Sequence, residues 1–341
     1  MNIVEAIKQV TFGKSLTVAE SSNVFNDIMS GGATDAQIAA FIVALHMKGE
    51  TPEEITGAAR VMRDKATHVI PRDARHIVDT CGTGGDGART FNISTAAAFV
   101  AAGAGATVAK HGNRSVSSAC GSADVLEALG VNISADPDTM KRCLDEVGIC
   151  FLFASSLHKA MKYAIGPRKE IGIRTIFNIL GPLTNPSMAQ CQLLGAFSPE
   201  LTATMATVLL NLGSTHAFVV HGADHLDEIT TSAETHVAEV FAGAVKSYDI
   251  QPEDFGFSRS RIESIAGGTA PENAAIVRSV LGGKKGPCRD IVLLNAGFAI
   301  AASGIANDPA EGIAMARKSI DEGKAMEKLE GLVEMTRGKK G

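Results

Sequence analysis

The sequence predicts an α/β protein in which a small N-terminal helical domain leads into a large α/β domain with a central, largely parallel sheet. Two observations carry this prediction. The first seventy residues contain only helix signals, whereas from about residue 76 a strand, a glycine-rich loop, a helix and a second strand follow one another. A chain of 341 residues can bury a large core without cross-links. We place the domains at residues 1–71 and 72–341.

Three helices of the N-terminal segment are predicted to begin at capping boxes. In each box a threonine is followed three residues later by Glu or Gln, so that the two residues satisfy each other's backbone N–H groups. The boxes span residues 17–20, 34–37 and 51–54, and the last has proline at its first helical position. Glycines at 31, 32 and 49 are predicted helix stops. Apolar residues at 38, 41, 42 and 45 follow the helical period and indicate one buried face.

The remaining chain is predicted to alternate strands with helices, which is typical of a parallel sheet. The predicted strands are residues 77–81, 107–110, 149–153, 192–195 and 217–221. The predicted helices are residues 93–103, 123–129, 138–147, 200–212, 271–281 and 291–303. The last four residues, 338–341, are predicted to fray.

The composition excludes several classes of protein. A net charge of −5 and a pI near 6.0 argue against nucleic-acid-binding and membrane-surface proteins, which are usually basic. Six cysteines form no CxxC pair and no group with histidines, as expected for buried thiols in a reducing cytoplasm. The sequence shows neither a secretory signal nor an apolar run of about 18 residues. We therefore expect a cytoplasmic protein without a nucleic-acid or membrane partner.

The loop Gly82-Thr-Gly-Gly-Asp-Gly87 follows the first predicted strand and matches the GxGxxG pattern of dinucleotide sites. A dinucleotide site also expects an acidic residue at the end of the second strand, where it binds the ribose hydroxyls. Here the second strand ends in Lys110-His111. Asp86 inside the loop is also unfavourable beside a bare pyrophosphate. The residues therefore argue against a dinucleotide fingerprint.

Two donor-rich loops leave the first two strands of the predicted sheet. Polar residues at 90, 92, 94 and 95 open the following helix, where unpaired N–H groups favour anions. Residues 110–118 add a lysine, an arginine, an amide and three hydroxyls, and both cations bind phosphate well. Ends of parallel strands face one crevice, where open α/β sheets bind ligands. The stretch from 79 to 122 therefore predicts a site for a polyphosphate-bearing small molecule, as in a metabolic enzyme.

Asp227 and Glu228 follow the predicted strand 217–221. Such a pair alone is usually a solvated surface feature, but beside a phosphate crevice it predicts a Mg²⁺ site, with Ser94 as a further oxygen ligand. A basic segment at residues 165–186 contains Arg168 and Arg174. The residue pattern places Arg168 on a solvent-facing helical turn and does not distinguish it from Arg174.

The motifs at residues 82–87, 90–95, 110–118, 121–130 and 174–186 together resemble the anthranilate phosphoribosyltransferase family. The likeness extends over nearly the whole chain. Enzymes of this family join anthranilate to phosphoribosyl pyrophosphate (PRPP), with release of pyrophosphate, in tryptophan biosynthesis. The resemblance implies a homodimer, two Mg²⁺ ions per subunit and an active site between the domains. It also implies that about residues 160–190 return to the helical domain.

The resemblance implies three sets of binding residues and no single catalytic residue. Anthranilate would contact Gly82, Asn113 and Arg168, with the guanidinium near the acceptor carboxylate. Mg²⁺ would bind Ser94, Asp227 and Glu228. The PRPP set comprises Gly82, Gly85, Asp86, Thr90, Asn92, Ile93, Ser94, Thr95, Lys110, His111, Gly112, Asn113, Arg114, Ser115, Val116, Ser117, Ser118 and Ser122.

The chain departs from the family pattern at three places. His225 stands where a glycine usually precedes Leu-Asp-Glu, and Cys81 replaces a branched aliphatic residue. Ser155 and Lys159 replace common prolines. These two lie near the expected acceptor entrance and bear on acceptor preference.

Two other functions remain open from the sequence. A pyrimidine nucleoside phosphorylase has the same fold, a glycine loop and a Lys-His-Gly-Asn-Arg-like run, but it uses free phosphate and needs no acidic metal pair. A non-catalytic nucleic-acid-binding relative of the same fold should be basic overall, whereas this chain carries a net charge of −5.

Overall fold

The N-terminal seventy residues fold into four helices: α1 (Ile3–Thr11), α2 (Val18–Met29), α3 (Asp35–Lys48) and α4 (Pro52–Asp64). The computed structural model describes residues 1–85, 87–115 and 120–337. All three predicted capping boxes form, and a fourth at Asn2 begins α1. Each box satisfies backbone N–H groups that a helix start leaves unpaired. Local sequence therefore determines where these helices begin.

Seven strands form one sheet in the described part of the chain, in the order β3-β2-β1-β4-β5-β6-β7. The first five in chain order pair in parallel, and β6 and β7 add an antiparallel hairpin at one edge. This arrangement confirms the predicted fold class. The strands are β1 (Ile77–Gly82), β2 (Thr107–Gly112), β3 (Ile149–Phe153), β4 (Cys191–Gly195), β5 (His216–Gly222), β6 (Thr235–Phe241) and β7 (Ala244–Ile250).

Helices connect the parallel strands and continue beyond the hairpin. The predicted helix 138–147 is divided into α7 and one π-helical turn, Cys143–Val147. The remaining helices are α5 (Ile93–Gly103), α6 (Ser122–Leu129), α7 (Pro137–Arg142), α8 (Ala154–Leu157), α9 (Lys162–Ile171), α10 (Ile176–Leu180), α11 (Pro199–Asn211), α12 (Ala270–Leu281), α13 (Pro287–Ala302), α14 (Pro309–Asp321) and α15 (Lys324–Arg337).

The sequence analysis missed the β6–β7 hairpin and the helices α14 and α15. The hairpin turns at Ala242 and Gly243, both at positive φ, which is the backbone that a two-residue hairpin turn needs. Its turn carries Ala-Gly rather than Asn-Gly, and β7 is mostly exposed, so neither the turn nor the strand gave a strong apolar pattern. Helix α14 begins at a clear N-terminal signal, Asp308 before Pro309, and the Asp308 side chain accepts from the N–H of Glu311.

Two apolar clusters cover the two faces of the sheet. One fills the space between the sheet and α5, α6 and α12–α15. The other joins α1–α4 and α10–α11 to the opposite face of the sheet through residues such as Leu194 and Val219. Helix α9 packs on α2 and α3, so part of the segment 160–190 contacts the N-terminal helices. No helix within the described ranges is long and apolar enough to cross a bilayer.

Candidate active site

The carboxyl ends of β1, β2, β4 and β5 lie along one edge of the sheet, because these strands are parallel. The loop after β5 folds back across this edge. A Cβ on Gly195 would lie 1.6 Å from the carbonyl oxygen of Asp227, and one on Gly82 would lie 2.5 Å from its Oδ2. Glycine is therefore required at both strand ends, since any side chain would push Asp227 away from the glycine loop.

The predicted phosphate-binding stretch, residues 79–122, is called the phosphate cradle. Asp227 and Glu228 each accept a hydrogen bond from a different part of it. The Oδ2 of Asp227 accepts from the N–H of Gly84 at 2.8 Å, and Oε1 of Glu228 accepts from the N–H of Ser94 at 3.1 Å. The glycine loop, the start of α5 and the loop after β5 thus meet at one point. The sequence predicted that these three segments would come together, and the structure places them in contact.

The loop that carries the two carboxylates is held at both ends. Asp224 accepts hydrogen bonds from the hydroxyls of Thr230, at 2.6 Å, and Ser232. From α13, the buried amide of Asn295 accepts from the N–H of Ile229 at 2.9 Å and donates to its carbonyl at 2.8 Å. His225 lies at φ +70°, a left-handed backbone that favours glycine. This conformation is the physical reason why a glycine suits the position that His225 occupies.

Lys110 is only 3% exposed and lies beneath the cradle. Its Nζ donates to the carbonyl of Thr80 and to Oγ of Ser94, the latter at 3.2 Å. Buried Asp79 accepts from the N–H of His111 at 3.0 Å. Burial raises the pKa of Asp79 to about 6 and lowers the pKa of Lys110, while the attraction between the two charges opposes both shifts. Lys110 therefore links β1, β2 and α5 through one ammonium group.

The start of α5 contains Thr90, Asn92, Ile93, Ser94 and Thr95. Ile93 is a core residue, so it can contribute only its backbone to a ligand. Oγ1 of Thr95 is buried and has no hydrogen-bond partner among the described residues. A buried hydroxyl without a partner is costly and rare. The helix start thus combines Ser94, which contacts Lys110 and Glu228, with a hydroxyl that a ligand or water could satisfy.

The loop after β2 contains further residues of the predicted PRPP set. A Cβ on Gly112 would lie 2.3 Å from Oγ of Ser122, so this glycine allows the loop to approach α6. Oδ1 of Asn113 accepts from Oγ of Ser155 at 3.2 Å, a contact that a proline at 155 would lack. Ser115 donates its N–H to Asp124 at 3.3 Å. The predicted residues Asp86, Val116, Ser117 and Ser118 lie outside the described residues.

The guanidinium of Arg114 is bound to carboxylates of α6. It donates to Asp124 at 2.8 Å and to both oxygens of Glu127 at 2.6 and 2.9 Å. All three side chains are at least partly exposed, so water screens these ion pairs. These three hydrogen bonds leave two of the five guanidinium N–H donors, so a phosphate contact by Arg114 would use those two or exchange partners.

Arg168 and Arg174, which the sequence could not distinguish, have different environments. Arg168 lies over the ring of Phe177 at 5.1 Å, and burial lowers the pKa of its guanidinium. Arg174 stacks on Phe197 at 4.3 Å and donates from Nη2 to the carbonyl of Gly85 at 2.6 Å. Arg174 therefore fastens the glycine loop to the segment 160–190, a contact that sequence reasoning did not identify.

His111 belongs to the predicted PRPP set, yet its ring faces the segment 160–190. Its Nδ1 lies 3.1 Å from the carbonyl of Gly181, and its Nε2 lies 3.2 Å from Nε2 of His158. Burial lowers the pKa of His111 to about 3 and that of His158 to about 4. Both rings are consequently neutral at pH 7, which allows one Nε2 to donate to the other.

This histidine pair predicts a loss of stability in mild acid. In the unfolded chain both histidines titrate near 6.5, so between about pH 6.5 and pH 4 the unfolded state binds more protons than the folded state. The pair's stabilising contribution is complete above pH 6.5 and declines as the pH falls. At pH 5 we expect the free energy of unfolding, measured with urea, to be lower than at pH 7 by about 1–2 kcal/mol per histidine. In the variant His158→Asn, the difference in the free energy of unfolding between pH 7 and pH 5 should be smaller than in the wild type. An unchanged difference would contradict the assignment of this pH dependence to the histidine pair.

Three buried asparagines at the site escaped the sequence analysis. Asn185 donates from Nδ2 to Asp79 at 2.8 Å and to the carbonyl of Ala109 at 2.7 Å. Asn295 binds the backbone of Ile229, and Asn273 donates to Asn92 at 2.9 Å. The partners just named lie between 66 and 181 residues away in the chain, so no local pattern could have revealed these contacts. The available signal was a polar residue at an apolar position of a predicted helix, which holds for Asn273 and Asn295.

Comparison with known proteins agrees with this geometry. Residues 74–326 match the glycosyl transferase family, a/b domain, and residues 4–66 match its helical bundle domain. The chain is 56% identical over 347 residues to the anthranilate phosphoribosyltransferase of Geotalea uraniireducens, with 98% of this chain and 99% of that protein covered.

Two solved structures of the same name are also similar. That of Thermus thermophilus has a TM-score of 0.93 and 43% identity, and 98% of this chain and 99% of that one are covered. That of Saccharomyces cerevisiae, in complex with PRPP and Mg, has a TM-score of 0.89 and 28% identity, with 98% of both chains covered. The chain therefore belongs to the anthranilate phosphoribosyltransferase family.

Proposed function

We propose that this protein transfers the 5-phosphoribosyl group of PRPP to the amine of anthranilate and releases pyrophosphate, a step of tryptophan biosynthesis. One observation carries the proposal: three loops meet at one sheet edge through Asp227–Gly84, Glu228–Ser94 and Lys110–Ser94 contacts of 2.8, 3.1 and 3.2 Å. N–H groups, a buried ammonium and two carboxylates therefore lie together at this edge of the sheet. The name shared by the curated and solved relatives supports the choice of acceptor.

The reaction forms a bond between the amine nitrogen and the anomeric carbon of ribose and breaks the bond from that carbon to pyrophosphate. Negative charge builds on the leaving group and positive charge on the sugar. The amine has a free lone pair at neutral pH, so the protein's tasks are to hold the amine in line and to stabilise the departing charge. Because these tasks require binding groups and no strong general base, a site rich in binding groups needs no catalytic dyad.

We assign PRPP to the predicted loops at residues 82–95 and 110–122. Lys110 contributes the buried positive charge beneath the crevice. The N–H groups of Gly84 and Ser94 lie beside the two carboxylates to which they donate, and Thr95 offers a hydroxyl that lacks a partner among the described residues. Phosphate oxygens accept hydrogen bonds from all of these groups.

The donor set fits Mg²⁺, which we propose to bind with two ions per subunit. No group of three or more His, Cys, Asp or Glu side chains in the described ranges is arranged to hold a metal. Two carboxylates and a hydroxyl form an incomplete shell, and Mg²⁺ characteristically completes such a shell with waters and substrate phosphates. Ser94, Asp227 and Glu228 would hold the metal, which when bound supplies positive charge to the leaving pyrophosphate. The yeast relative in complex with PRPP and Mg supports this proposal.

The acceptor is assigned to the space between the cradle and the segment 160–190. We propose that Arg168 attracts the anthranilate carboxylate and that Gly82 and Asn113 line the remainder. Oδ1 of Asn113 accepts from its neighbour Arg114 at 2.8 Å and from Ser155. The Nδ2 group therefore points away from these donors, and a carboxylate is a suitable acceptor for it.

The proposal extends to the organisation of the protein. Residues 1–71, joined by about residues 160–190, would form the helical domain, and the rest of residues 72–341 would form the α/β domain. The packing of α9 on α2 and α3 supports this division. We further propose a cytoplasmic homodimer. Exposed apolar side chains of the N-terminal helices, Val4, Phe12 and Met47, are consistent with a second copy of the chain packing there.

Formation of phosphoribosylanthranilate, followed as the change in anthranilate fluorescence, provides the direct test. We expect the purified protein to consume PRPP only when anthranilate and Mg²⁺ are both present, with one pyrophosphate released for each product formed. Phosphorolysis of thymidine, with no turnover of anthranilate, would overturn the proposal in favour of the pyrimidine nucleoside phosphorylase alternative.

A further inference from the structure

Asn273 lies in α12, outside the motifs of the site, yet its side chain contacts the phosphate cradle. It is only 1% exposed. Its Oδ1 accepts from the N–H of Gly268 at 2.7 Å, and its Nδ2 donates to Oδ1 of Asn92 at 2.9 Å. Because an amide has one acceptor end and one donor end, the bond from Gly268 fixes which end of Asn273 faces Asn92.

Asn92 in turn binds the backbone that follows the second donor-rich loop, at Cys120. With its Oδ1 turned to Asn273, its Nδ2 donates to the carbonyl of Cys120 at 3.2 Å. A continuous chain of hydrogen bonds therefore runs from Gly268 through both asparagines to Cys120. Asn92 stands at the N-cap of α5 but makes no capping hydrogen bond, so its amide spans the two loops instead of closing the helix.

Backbone contacts support the same region. The N–H of Phe91 donates to the carbonyl of Ile265 at 3.2 Å, and the N–H of Gly267 donates to the carbonyl of Arg89 at 2.8 Å. A Cβ on Gly267 would lie 2.6 Å from the carbonyl oxygen of Thr90, so the two segments touch. Residues 265–268 thus pack directly on residues 89–91, and Asn273 adds a side-chain contact to Asn92.

We propose that Asn273 is a positioning residue for PRPP binding, which acts through Asn92 and does not touch the substrate. It sets the direction of the Asn92 amide and thereby the distance between the start of α5 and the backbone at Cys120. An amide is required because an acidic side chain would accept from Gly268 but could not donate to Asn92. This inference rests on the proposed function, since it concerns the same crevice.

Asn273→Asp is the first test, because it preserves shape and removes one donor; Asn273→Leu removes the same donor without adding a negative charge and should weaken PRPP binding to a similar extent. Asp at the fourth residue of α12 is compatible with the positive end of the helix dipole, so the variant should fold. We expect the dissociation constant of PRPP, measured by calorimetry with Mg²⁺, and the KM for PRPP to rise about tenfold, the effect of one hydrogen bond. We expect kcat to change less than about threefold, since the proposed role is in binding.

Thr336→Val is the matched control. Thr336 is also buried, accepts from the N–H of Asn132 at 3.1 Å and donates to the carbonyl of Leu332 at 2.7 Å, and it joins segments distant in sequence. This variant should lose comparable thermal stability without any change in PRPP affinity. If it weakens PRPP binding as much as Asn273→Asp does, the role of Asn273 is merely structural and the proposal is overturned.

A double-mutant cycle tests whether Asn273 acts through Asn92. Once Asn92→Ala is present, adding Asn273→Ala should weaken PRPP binding less than about twofold further, because coupled residues are not additive. Full additivity contradicts the proposal. The wild type in the same calorimeter separates the two claims: if it fails to bind PRPP, the proposed function fails as well, whereas normal binding by wild type and Asn273→Asp alike refutes only the positioning role.

Discussion

Replacing Asp227 by Asn together with Glu228 by Gln is expected to lower turnover by about 10²–10³-fold at saturating substrates, the usual effect of removing charge stabilisation at a leaving group. The two carboxylates accept hydrogen bonds from the N–H groups of Gly84 and Ser94. Amide oxygens can still accept these bonds, so the loops should keep their positions. The loss would then reflect weaker binding of Mg²⁺ rather than a displaced cradle.

Two measurements distinguish metal binding from folding for this variant. The Mg²⁺ concentration for half-maximal activity should rise at least about tenfold, as expected when two charged ligands become neutral. Mn²⁺ binding in the presence of pyrophosphate, followed by electron paramagnetic resonance, should weaken in parallel. The control removes the same two charges from the exposed pair Glu253 and Asp254 and should leave both measurements unchanged. An unaltered Mg²⁺ dependence in the site variant would mean that the acidic pair is a surface feature.

Replacing Lys110 by Met is expected to cause the largest loss of stability, about 3–5 kcal/mol at pH 7, because it removes the buried cation whose charge attracts that of buried Asp79. Asp79 would then be buried without a cation nearby, although His111 and Asn185 still donate to it. PRPP affinity should also fall by about 10–100-fold, the range for a charged hydrogen-bond donor. Urea unfolding and calorimetry measure the two effects separately.

The pH dependence identifies Asp79 as the source of the lost stability. Burial already raises the pKa of Asp79 to about 6, and the pKa should rise further without Lys110. A carboxyl with a raised folded pKa favours folding when it is protonated, so its cost appears as the pH rises through the folded pKa. The free energy of unfolding that Lys110→Met loses relative to the wild type should therefore be smaller at pH 5 than at pH 8. A loss of unfolding free energy that does not depend on pH would indicate lost packing rather than the buried charge of Asp79.

Local sequence determined the elements whose signals lie within a few residues of one another. The capping boxes at residues 17–20, 34–37 and 51–54 form as predicted because each closes within a single helical turn. The five parallel strands were recognised because buried strands carry short apolar runs bounded by glycine or polar loops. The exposed hairpin β6–β7 was missed because one of its faces meets solvent and its turn lacks the strongest signal.

The sequence by itself also determined the kinds of groups in the site and their gathering at one edge, because parallel strands bring their carboxyl ends together whatever else surrounds them. Only the tertiary structure decided how those groups are arranged. It distinguished Arg174, which binds Gly85, from Arg168, and it turned the ring of His111 towards Gly181 and His158. It also placed Asn273 in hydrogen-bond contact with Asn92, although the two are 181 residues apart in the chain. These contacts join groups that are distant in the chain, and such partners leave no trace in neighbouring sequence.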